Sequence, residues 1–351
     1  MAGGSGTRLW PASRETNPKQ LHALVSEKPM IRETVERLTP VIDTGNMWVV
    51  TNESYVYRIR QQIPDMPEDH VVGEPFALGT TLAIGLAMLK VAQVDAKGTV
   101  AVGWSDSYIS NQEAFVDALK LAEEAAQQSD GVIIGVNPTY PATGYGYIKM
   151  GKPIRNINGG DVFWIEEFIE KPNLERAKQF AKGWEYLWNP GIAVWRVDKL
   201  LGLFERLRPR EYEALKRVEP HLGTREEGAA IERELRDLPK LAIDYTIHEK
   251  ADHLAVVPAD LGWSDIGTWD ALKEVLPPND GTNVVRGPEV MTVDTEECLI
   301  FGDKRLVATL GVKDLVIVDT GDALLVAHRS KSQQVKDVVE QLRKQNRKEY
   351  L

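Results

Sequence analysis

The amino-terminal segment contains a glycine-rich loop that is closely followed by cationic side chains. The loop consists of Gly3, Gly4, Gly6 and Thr7. Because glycine has no Cβ, such a loop lets the backbone approach a ligand and direct several N–H groups at one anion. Arg8, Arg14 and Lys19 add positive charge within a few residues of it. These donors predict a polyphosphate site, since the charge of a triphosphate is costly to desolvate without them.

Two aspartates each follow a short apolar segment that is predicted to be a buried strand. Asp106 comes after Thr99–Val102 and Asp265 comes after Leu254–Pro258, both within the tetrapeptide Gly-Trp-Ser-Asp. Ligands bind beyond the carboxyl ends of parallel strands, so both acids are expected to face one crevice. Mg²⁺ prefers one or two carboxylates together with phosphate oxygens and water, which makes these residues candidate Mg²⁺ ligands. The alternative is that each aspartate caps the helix that follows it.

Composition limits the classes of protein to which the chain can belong. Its 351 residues suggest one large domain plus a smaller one. The net charge of −10 argues against a nucleic-acid partner, and the single cysteine, Cys298, excludes an intramolecular disulfide framework. The sequence contains no apolar run of membrane-spanning length and no signal-peptide pattern. We therefore expect a cytoplasmic protein without a membrane partner.

Apolar patterning predicts an α/β fold with a mostly parallel, mixed sheet. Short buried strands alternate with amphipathic helices through about the first three quarters of the chain. Turn-forming residues at 277–282 indicate a linker, and several short β-rich segments separated by Gly and Asp follow it. The predicted organisation is a catalytic domain at 1–276, the linker, a small β-rich domain at 283–330 and an amphipathic helix at 331–351.

The glycine loop and the residues after it resemble a family signature. Residues 3–20 match the pattern GGxGTRLWPxSRxxxPKQ of the sugar-nucleotide pyrophosphorylases, specifically the mannose-1-phosphate guanylyltransferases. The resemblance implies a Rossmann-like nucleotide-diphospho-sugar transferase fold with a small β-helix-like domain at the carboxyl end. It also implies that the glycine loop, with Thr7, wraps the nucleotide phosphates. Arg8 and Lys19 match the catalytic positions that hold the triphosphate and the phosphoryl group in transfer.

A second segment resembles the family's EPxxRNT stretch, which lies beside the nucleotide base. Glu74, Pro75 and Thr80 agree with that pattern and are the implied nucleotide-binding residues. Leu78 and Gly79 replace the Arg and Asn of the pattern, which leaves base recognition open. A helix N-terminus capped by a threonine explains the same segment as well.

Further segments resemble the family's sugar-binding motifs and follow the family's order. They are 143–148 (TGYGYI), 168–172 (FIEKP, family FxEKP), 188–192 (WNPGI, family WNSGI) and 243–250 (IDYTIHEK, family IDYAVMEK). The resemblance implies that the hexose lies against Gly144, Tyr145 and Gly146. It further implies that Glu170 and Asn189 bind hydroxyl groups and that Lys171 meets the sugar phosphate. Taken alone, a Glu-Lys pair before a proline is typical of a solvated turn.

The expected reaction is transfer of a nucleotidyl group from GTP to mannose 1-phosphate, with Mg²⁺ held by Asp106 and Asp265 as in the family. We expect a homodimer, since the β-rich appendage often mediates subunit pairing in this family. One alternative is another hexose-1-phosphate nucleotidyltransferase, such as a glucose-1-phosphate thymidylyltransferase. Another is a sugar-nucleotide-binding paralogue without turnover, which the altered segment Trp104–Ser107 would suit. An NAD-dependent Rossmann enzyme is disfavoured, because the sequence lacks its fingerprint.

The position of the glycine loop raises one further expectation. A phosphate-binding loop of this type should follow a buried strand, but only Met1 and Ala2 precede Gly3. Either the natural start lies about six to eight residues upstream, a typical strand length, or the sheet lacks a central member. The first alternative is the favoured expectation.

Overall fold

The computed structural model describes residues 1–4, 6–154, 157 and 160–351. The chain divides into two compact units, which interleave along the sequence. The first unit comprises Met1–Gly3, Val35–Trp104 and Ile109–Trp263. The second unit comprises Gly4–Thr34, Ser105–Tyr108 and Ser264–Leu351.

The described chain contains both helices and strands. In chain order, the helices are α1 (Met30–Leu38), α2 (Val56–Gln62), α3 (Thr80–Val94), α4 (Gln112–Ala125), α5 (Leu174–Phe180), α6 (Val197–Leu207), α7 (Pro209–Val218), α8 (Glu227–Leu235), α9 (Trp269–Val275) and α10 (Val335–Lys344). The strands are β1 (Val49–Asn52), β2 (Val71–Glu74), β3 (Thr99–Val102), β4 (Tyr108–Ile109), β5 (Gly131–Gly135), β6 (Gly146–Pro153), β7 (Phe163–Ile169), β8 (Tyr186–Asn189), β9 (Ala193–Arg196), β10 (Leu254–Pro258), β11 (Trp263–Ser264), β12 (Val284–Arg286), β13 (Val290–Glu296), β14 (Leu299–Phe301), β15 (Val307–Lys313), β16 (Leu315–Asp319) and β17 (Leu324–His328).

The first unit is built on a seven-stranded mixed sheet in the order β3-β9-β5-β10-β7-β6-β8. Strands β5 and β10 pair in parallel, and the neighbouring pairs that include β7, β8 or β9 are antiparallel. Successive side chains of a strand point to opposite faces of the sheet. Accordingly Ile133 joins one buried core, whereas Val132 and Ile134 join another. The predicted α/β fold with a mixed sheet is confirmed.

Strands β1 and β2 form a separate parallel sheet of the first unit, and β3 lies at an edge of the seven-stranded sheet. Ala2 makes a parallel bridge to Thr51 of β1, and its N–H donates to the carbonyl of Val50 at 2.8 Å. The amino group of Met1 donates to the carbonyl of Gly103, just after β3, at 2.8 Å. Met1 and Ala2 therefore contact β1 and the residue that follows β3.

The carboxyl-terminal part of the second unit is made of stacked short strands. Strands β12, β14 and β16 stack in parallel, and β13 pairs in parallel with β15, as in a β-helix. This confirms the β-helix-like appendage. The apolar face of α10 packs on its own unit, where Val335 and Val339 are buried in the core around Trp269. Among the described residues, no helix has the length and apolar character needed to cross a membrane.

Candidate functional site

From Gly4 onward the glycine loop belongs to the second unit, and Gly6 packs tightly against Lys19. Gly6 has a φ of 60°, in the left-handed region that favours glycine. A Cβ at this position would lie 2.8 Å from the Cβ of Lys19 and 2.9 Å from the Oγ of Ser13. Only glycine therefore fits there. At Gly4, in contrast, no atom of the described residues lies within 4 Å of an added Cβ, so its backbone is open to a ligand. Thr7 begins a short 3₁₀ turn after Gly6.

Lys19 is buried between the two predicted metal-binding aspartates. Only 3% of Lys19 is exposed, and its Nζ lies 3.4 Å from Oδ2 of Asp106. The same Nζ donates to the backbone carbonyl of Asp265. A buried ammonium group is costly unless it is paired, so these contacts fix its place. The structure thus brings together three residues that lie far apart in sequence.

The donor set around Lys19 suits a divalent ion that also binds phosphate. Asp106 keeps 37% of its side chain exposed, and Asp265 accepts a hydrogen bond from the N–H of Gly267 at 3.1 Å on Oδ1. The described residues contain no group of three or more His, Cys, Asp or Glu suited to a metal. In chemical type, the two carboxylates match the preference of Mg²⁺ for oxygen ligands.

The helix-cap alternative for the two aspartates is wrong. Helix α9, which follows Asp265, is capped by Thr268, whose Oγ1 accepts from the N–H of Ala271 at 3.2 Å. Helix α4 is capped by Asn111, whose Oδ1 accepts from the N–H of Ala114 at 3.1 Å. Neither carboxylate is needed to begin a helix.

The two arginines near the loop, Arg8 and Arg14, differ in whether a carboxylate neutralises their charge. Arg14 makes two hydrogen bonds to Asp322, at 2.7 and 2.8 Å, which lower the pKa of that carboxyl to about 2. The charge of Arg14 therefore serves an ion pair within the second unit. Arg8 donates to the neutral side-chain carbonyl of Gln333 at 2.9 Å, so its charge is not neutralised by this contact.

The predicted nucleotide-binding residues of the first unit lie at the end of β2 and the start of α3. Glu74 is 7% exposed, and burial raises its pKa to about 7. Its Oε1 accepts no hydrogen bond from any residue in the described ranges. A Cβ on Gly3 would lie 3.7 Å from its other carboxylate oxygen, so the two residues are neighbours. Pro75 follows Glu74 directly.

Thr80 does not cap α3, so the capping interpretation of this segment is wrong. The N-cap residue is Gly79, and Oγ1 of Thr80 instead accepts from the N–H of Ile243 at 2.9 Å. Leu78 is only 1% exposed and belongs to the hydrophobic core. The position at which the family pattern has an arginine therefore packs the core of this chain.

The predicted sugar-binding residues of the first unit are brought together at the edge of the sheet formed by β6 and β8. A Cβ on Gly146 would lie 2.6 Å from Oε2 of Glu170 and 3.3 Å from the Cβ of Asn189. The Nζ of Lys171 lies 2.9 Å from Oε1 of Glu170. Only 7% of the Glu170 side chain is exposed, against 52% for Lys171, so the solvated-turn interpretation is wrong for the glutamate and holds for the lysine.

The segment before Gly146 combines an open glycine with a packed aromatic residue. Within the described part of the chain, no atom lies within 4 Å of a Cβ added at Gly144, so a ligand can approach its backbone. The ring of Tyr145 packs edge-on against Trp188 and Trp263, with 5.2 Å between ring centroids in each case. The segment thus combines an approachable glycine backbone with an aromatic ring held by its neighbours.

The structure adds two functional candidates that the sequence reasoning missed. Asp244 accepts a hydrogen bond from Nδ2 of Asn189 at 2.9 Å, and His248 lies 3.2 Å from the same carboxylate oxygen. Burial acts to raise the pKa of Asp244, but the hydrogen bond and charge of His248 outweigh it and hold that pKa below its usual value. Burial, with the charge of Asp244, raises the pKa of Glu170. The spacing of four residues between Asp244 and His248 was the available signal.

Comparison with known proteins identifies the family. The family model described as "Nucleotidyl transferase" matches residues 1–278, and that described as "MannoseP isomerase/GMP-like beta-helix domain" matches residues 288–342. Mannose-1-phosphate guanylyltransferases from Klebsiella pneumoniae and Escherichia coli are each 35% identical over 100% of this chain and 74% of their own length. A crystal structure titled mannose-1-phosphate geranyltransferase, from Thermus thermophilus, superimposes with a TM-score of 0.87 at 32% identity, covering 98% of both chains.

These matches exclude the NAD-dependent Rossmann enzyme, because the nucleotidyltransferase model covers the whole region in which its fingerprint would lie. They also extend over both units of the chain. The chain belongs to the nucleotidyl transferase family and, within it, to the mannose-1-phosphate guanylyltransferases.

Proposed function

We propose that the chain transfers the guanylyl group of GTP to α-D-mannose 1-phosphate, giving GDP-mannose and pyrophosphate. The observation that carries the proposal is the buried Lys19 between Asp106 and Asp265, beside a glycine loop that fits only glycine at Gly6. The names of the relatives support the choice of mannose 1-phosphate and GTP.

The reaction is an in-line attack by an oxygen of the sugar phosphate on the α-phosphorus of GTP. The new P–O bond forms as the bond between the α-phosphorus and the bridging oxygen breaks, and pyrophosphate leaves with that oxygen. The attacking oxygen is already anionic, so no general base is needed. Catalysis then depends on holding anions that repel each other and on neutralising the leaving group. Lys19 and Arg8 supply positive charge, and the backbone of Gly3, Gly4, Gly6 and Thr7 supplies N–H donors.

Asp106 and Asp265 are proposed to hold Mg²⁺. The support is that both residues contact Lys19, Asp106 through a carboxylate oxygen and Asp265 through its backbone carbonyl, and that Mg²⁺ prefers carboxylate ligands. When bound, the ion neutralises charge on the triphosphate and on the departing pyrophosphate.

The first unit is proposed to bind the sugar phosphate and the base. Glu170 accepts hydrogen bonds from the hexose hydroxyls, and Asn189 can both accept from them and donate to them. Lys171 binds the sugar phosphate. The backbone of the segment Gly144–Gly146 lies along the sugar ring. The close approach of Gly146 to Glu170 supports this arrangement. Glu74, Pro75 and Thr80 are proposed to contact the nucleotide, and the position of the Glu74 carboxylate next to Gly3 supports this.

We also propose a homodimer that pairs through the β-helix-like domain. Met291 and Val293 of β13 and Leu310 of β15 are 56%, 47% and 71% exposed, and their register places Val293 beside Leu310. An exposed apolar sheet face of this kind suits a second copy of the chain. The molar mass in solution tests it. We further propose the domain boundaries at 276 and 283, which lie near the end of the first family model at 278 and the start of the second at 288, and a cytoplasmic location, which the single cysteine supports.

A pyrophosphate-release assay with paired substrates tests the function. Mannose 1-phosphate and glucose 1-phosphate are each combined with GTP or dTTP in the presence of Mg²⁺. We expect the highest kcat/KM for mannose 1-phosphate with GTP. A preference for glucose 1-phosphate with dTTP would assign a different nucleotidyltransferase, and binding without pyrophosphate release would assign a paralogue without turnover.

A further inference from the structure

We propose that His248 is a positioning residue for the hexose: it fixes Asp244, and Asp244 fixes the side-chain amide of Asn189. The inference rests on the proposed role of Asn189 in sugar binding. It concerns a residue that the proposed function does not use.

The amide of Asn189 is held at both of its ends. Its Nδ2 donates to Oδ1 of Asp244 at 2.9 Å, and its Oδ1 accepts from the N–H of Gly191 at 2.9 Å. These two contacts decide which way the amide points. One N–H and one lone pair remain for a sugar hydroxyl, so the amide can bind the sugar without turning.

Asp244 depends in turn on His248. Oδ1 of Asp244 accepts from Asn189, and Nδ1 of His248 lies 3.2 Å from the same oxygen, four residues along a π-helical turn at Asp244–His248. Because Asp244 is ionised, Nδ1 must carry the proton in order to donate to it. A methionine has no such donor. With methionine at position 248, Asp244 would keep its hydrogen bond from Asn189 but lose the one from Nδ1.

Packing leaves the imidazole little freedom to move. His248 is 6% exposed, and its ring stacks on Trp195 with 5.7 Å between centroids and an angle of 11° between the planes. Phe168 packs against it at 5.2 Å. In the part of the chain that the structure describes, its Nε2 has no hydrogen-bond partner. The hydrogen bond of this buried ring is therefore directed to Asp244, which indicates that the ring serves to hold that carboxylate.

The first experiment compares His248→Met with His248→Asn in steady-state kinetics. The Asn amide places an N–H close to the position of Nδ1, whereas Met places none. We expect His248→Met to raise KM for mannose 1-phosphate about 10-fold, the effect of one hydrogen bond to a charged group. We expect KM for GTP and kcat to change by less than about twofold, since only the sugar contact is altered. His248→Asn should restore KM to within about threefold of the parent value.

The second experiment is a double-mutant cycle with Asn189→Ala. If His248 acts through Asn189, His248→Met should change KM for mannose 1-phosphate very little once Asn189→Ala is present. Full additivity, or an equal rise in both KM values together with a fall in the melting temperature, would show a general structural role and overturn the proposal. Should His248→Met fail to fold, His248→Gln replaces it, because its longer amide cannot occupy the Nδ1 position.

The cycle also separates this proposal from the function on which it rests. If Asn189→Ala leaves KM for mannose 1-phosphate unchanged, Asn189 does not bind the sugar and both assignments fall. If Asn189→Ala raises that KM and His248→Met does not, the sugar assignment stands and only the role of His248 is overturned.

Discussion

The cluster around Lys19 in the second unit and the cluster around Asn189 in the first unit are organised in different ways. Lys19 is a buried cation held by one carboxylate and one backbone carbonyl. Asn189 is a neutral amide that lies in a chain of directed side-chain hydrogen bonds. Phosphate transfer needs charge at a fixed place, whereas a hexose is distinguished by the directions of its hydroxyl groups. The difference predicts that substitutions in the Lys19 cluster have large effects on kcat, whereas substitutions in the Asn189 cluster have smaller effects on KM.

The largest effect is expected for Lys19→Met. Removing a charge that acts on the transferred phosphoryl group should lower kcat about 10³-fold, with a small change in KM for mannose 1-phosphate. Steady-state pyrophosphate release measures it. Lys28→Met, which removes an exposed lysine of the same unit, is the matched control and should retain parent activity. A Lys19→Met enzyme with near-parent kcat would remove the distinction between the clusters.

The next effect is expected for Asp265→Ala and Asp106→Ala. Each variant loses a proposed Mg²⁺ ligand, so kcat should fall about 10²-fold and the Mg²⁺ concentration needed for half-maximal rate should rise. A titration of rate against Mg²⁺ measures both quantities. Asp303→Ala, at an exposed position of the same unit, serves as control. Near-normal rates at saturating Mg²⁺ would remove the altered residue as a ligand.

A smaller effect is expected from the pH dependence of sugar binding. The pKa of Glu170 is raised by burial and by the charge of Asp244, and its ionised form is the better acceptor for hydroxyl groups. KM for mannose 1-phosphate should therefore fall as pH rises through that raised pKa, by about 10-fold. Glu170→Gln should flatten this profile. The same pH dependence in parent and variant would assign it to the phosphate of the substrate instead.

The smallest effect is expected on stability, at Glu74. Its pKa is about 7 in the folded chain against 4.5 as the ordinary value, so the folded state binds the proton more tightly. The stability that this proton contributes is complete below about pH 4.5 and is lost as pH rises through about 7. Glu74→Gln should therefore increase the free energy of unfolding relative to the parent, and this increase should be about 1–3 kcal/mol larger at pH 8 than at pH 5. Urea denaturation at the two pH values measures this, and an equal effect at both would contradict it.

Much of the fold could be predicted from apolar patterning, because buried strands and amphipathic helices differ in periodicity. Thr99–Val102 and Leu254–Pro258 were predicted with the bounds that the structure shows. The interleaving of the two units could not be predicted in this way, since it depends on contacts between distant segments. An example is the Nε1 of Trp269, which donates to the carbonyl of Trp10 at 2.9 Å.

Residues of the candidate site could be predicted where they belong to one contiguous motif. They could not be predicted where their role depends on a contact between two motifs that are distant in sequence. The glycine loop and the Glu-Lys pair could be found directly from the sequence. The contact of Asn189 with Asp244 could not, because 55 residues separate them and β8 must first place the amide beside the π-helical turn. The alternative that Thr80 caps α3 is wrong because its hydroxyl oxygen accepts from the N–H of Ile243 instead of from an N–H of its own helix.

The most direct test is a crystal structure of the chain with GDP-mannose and Mg²⁺. Metal density coordinated by the carboxylates of Asp106 and Asp265, with the mannosyl hydroxyls bonded to Glu170 and Asn189, is the predicted result. Well-ordered ligand and metal that contact neither pair of residues would contradict it.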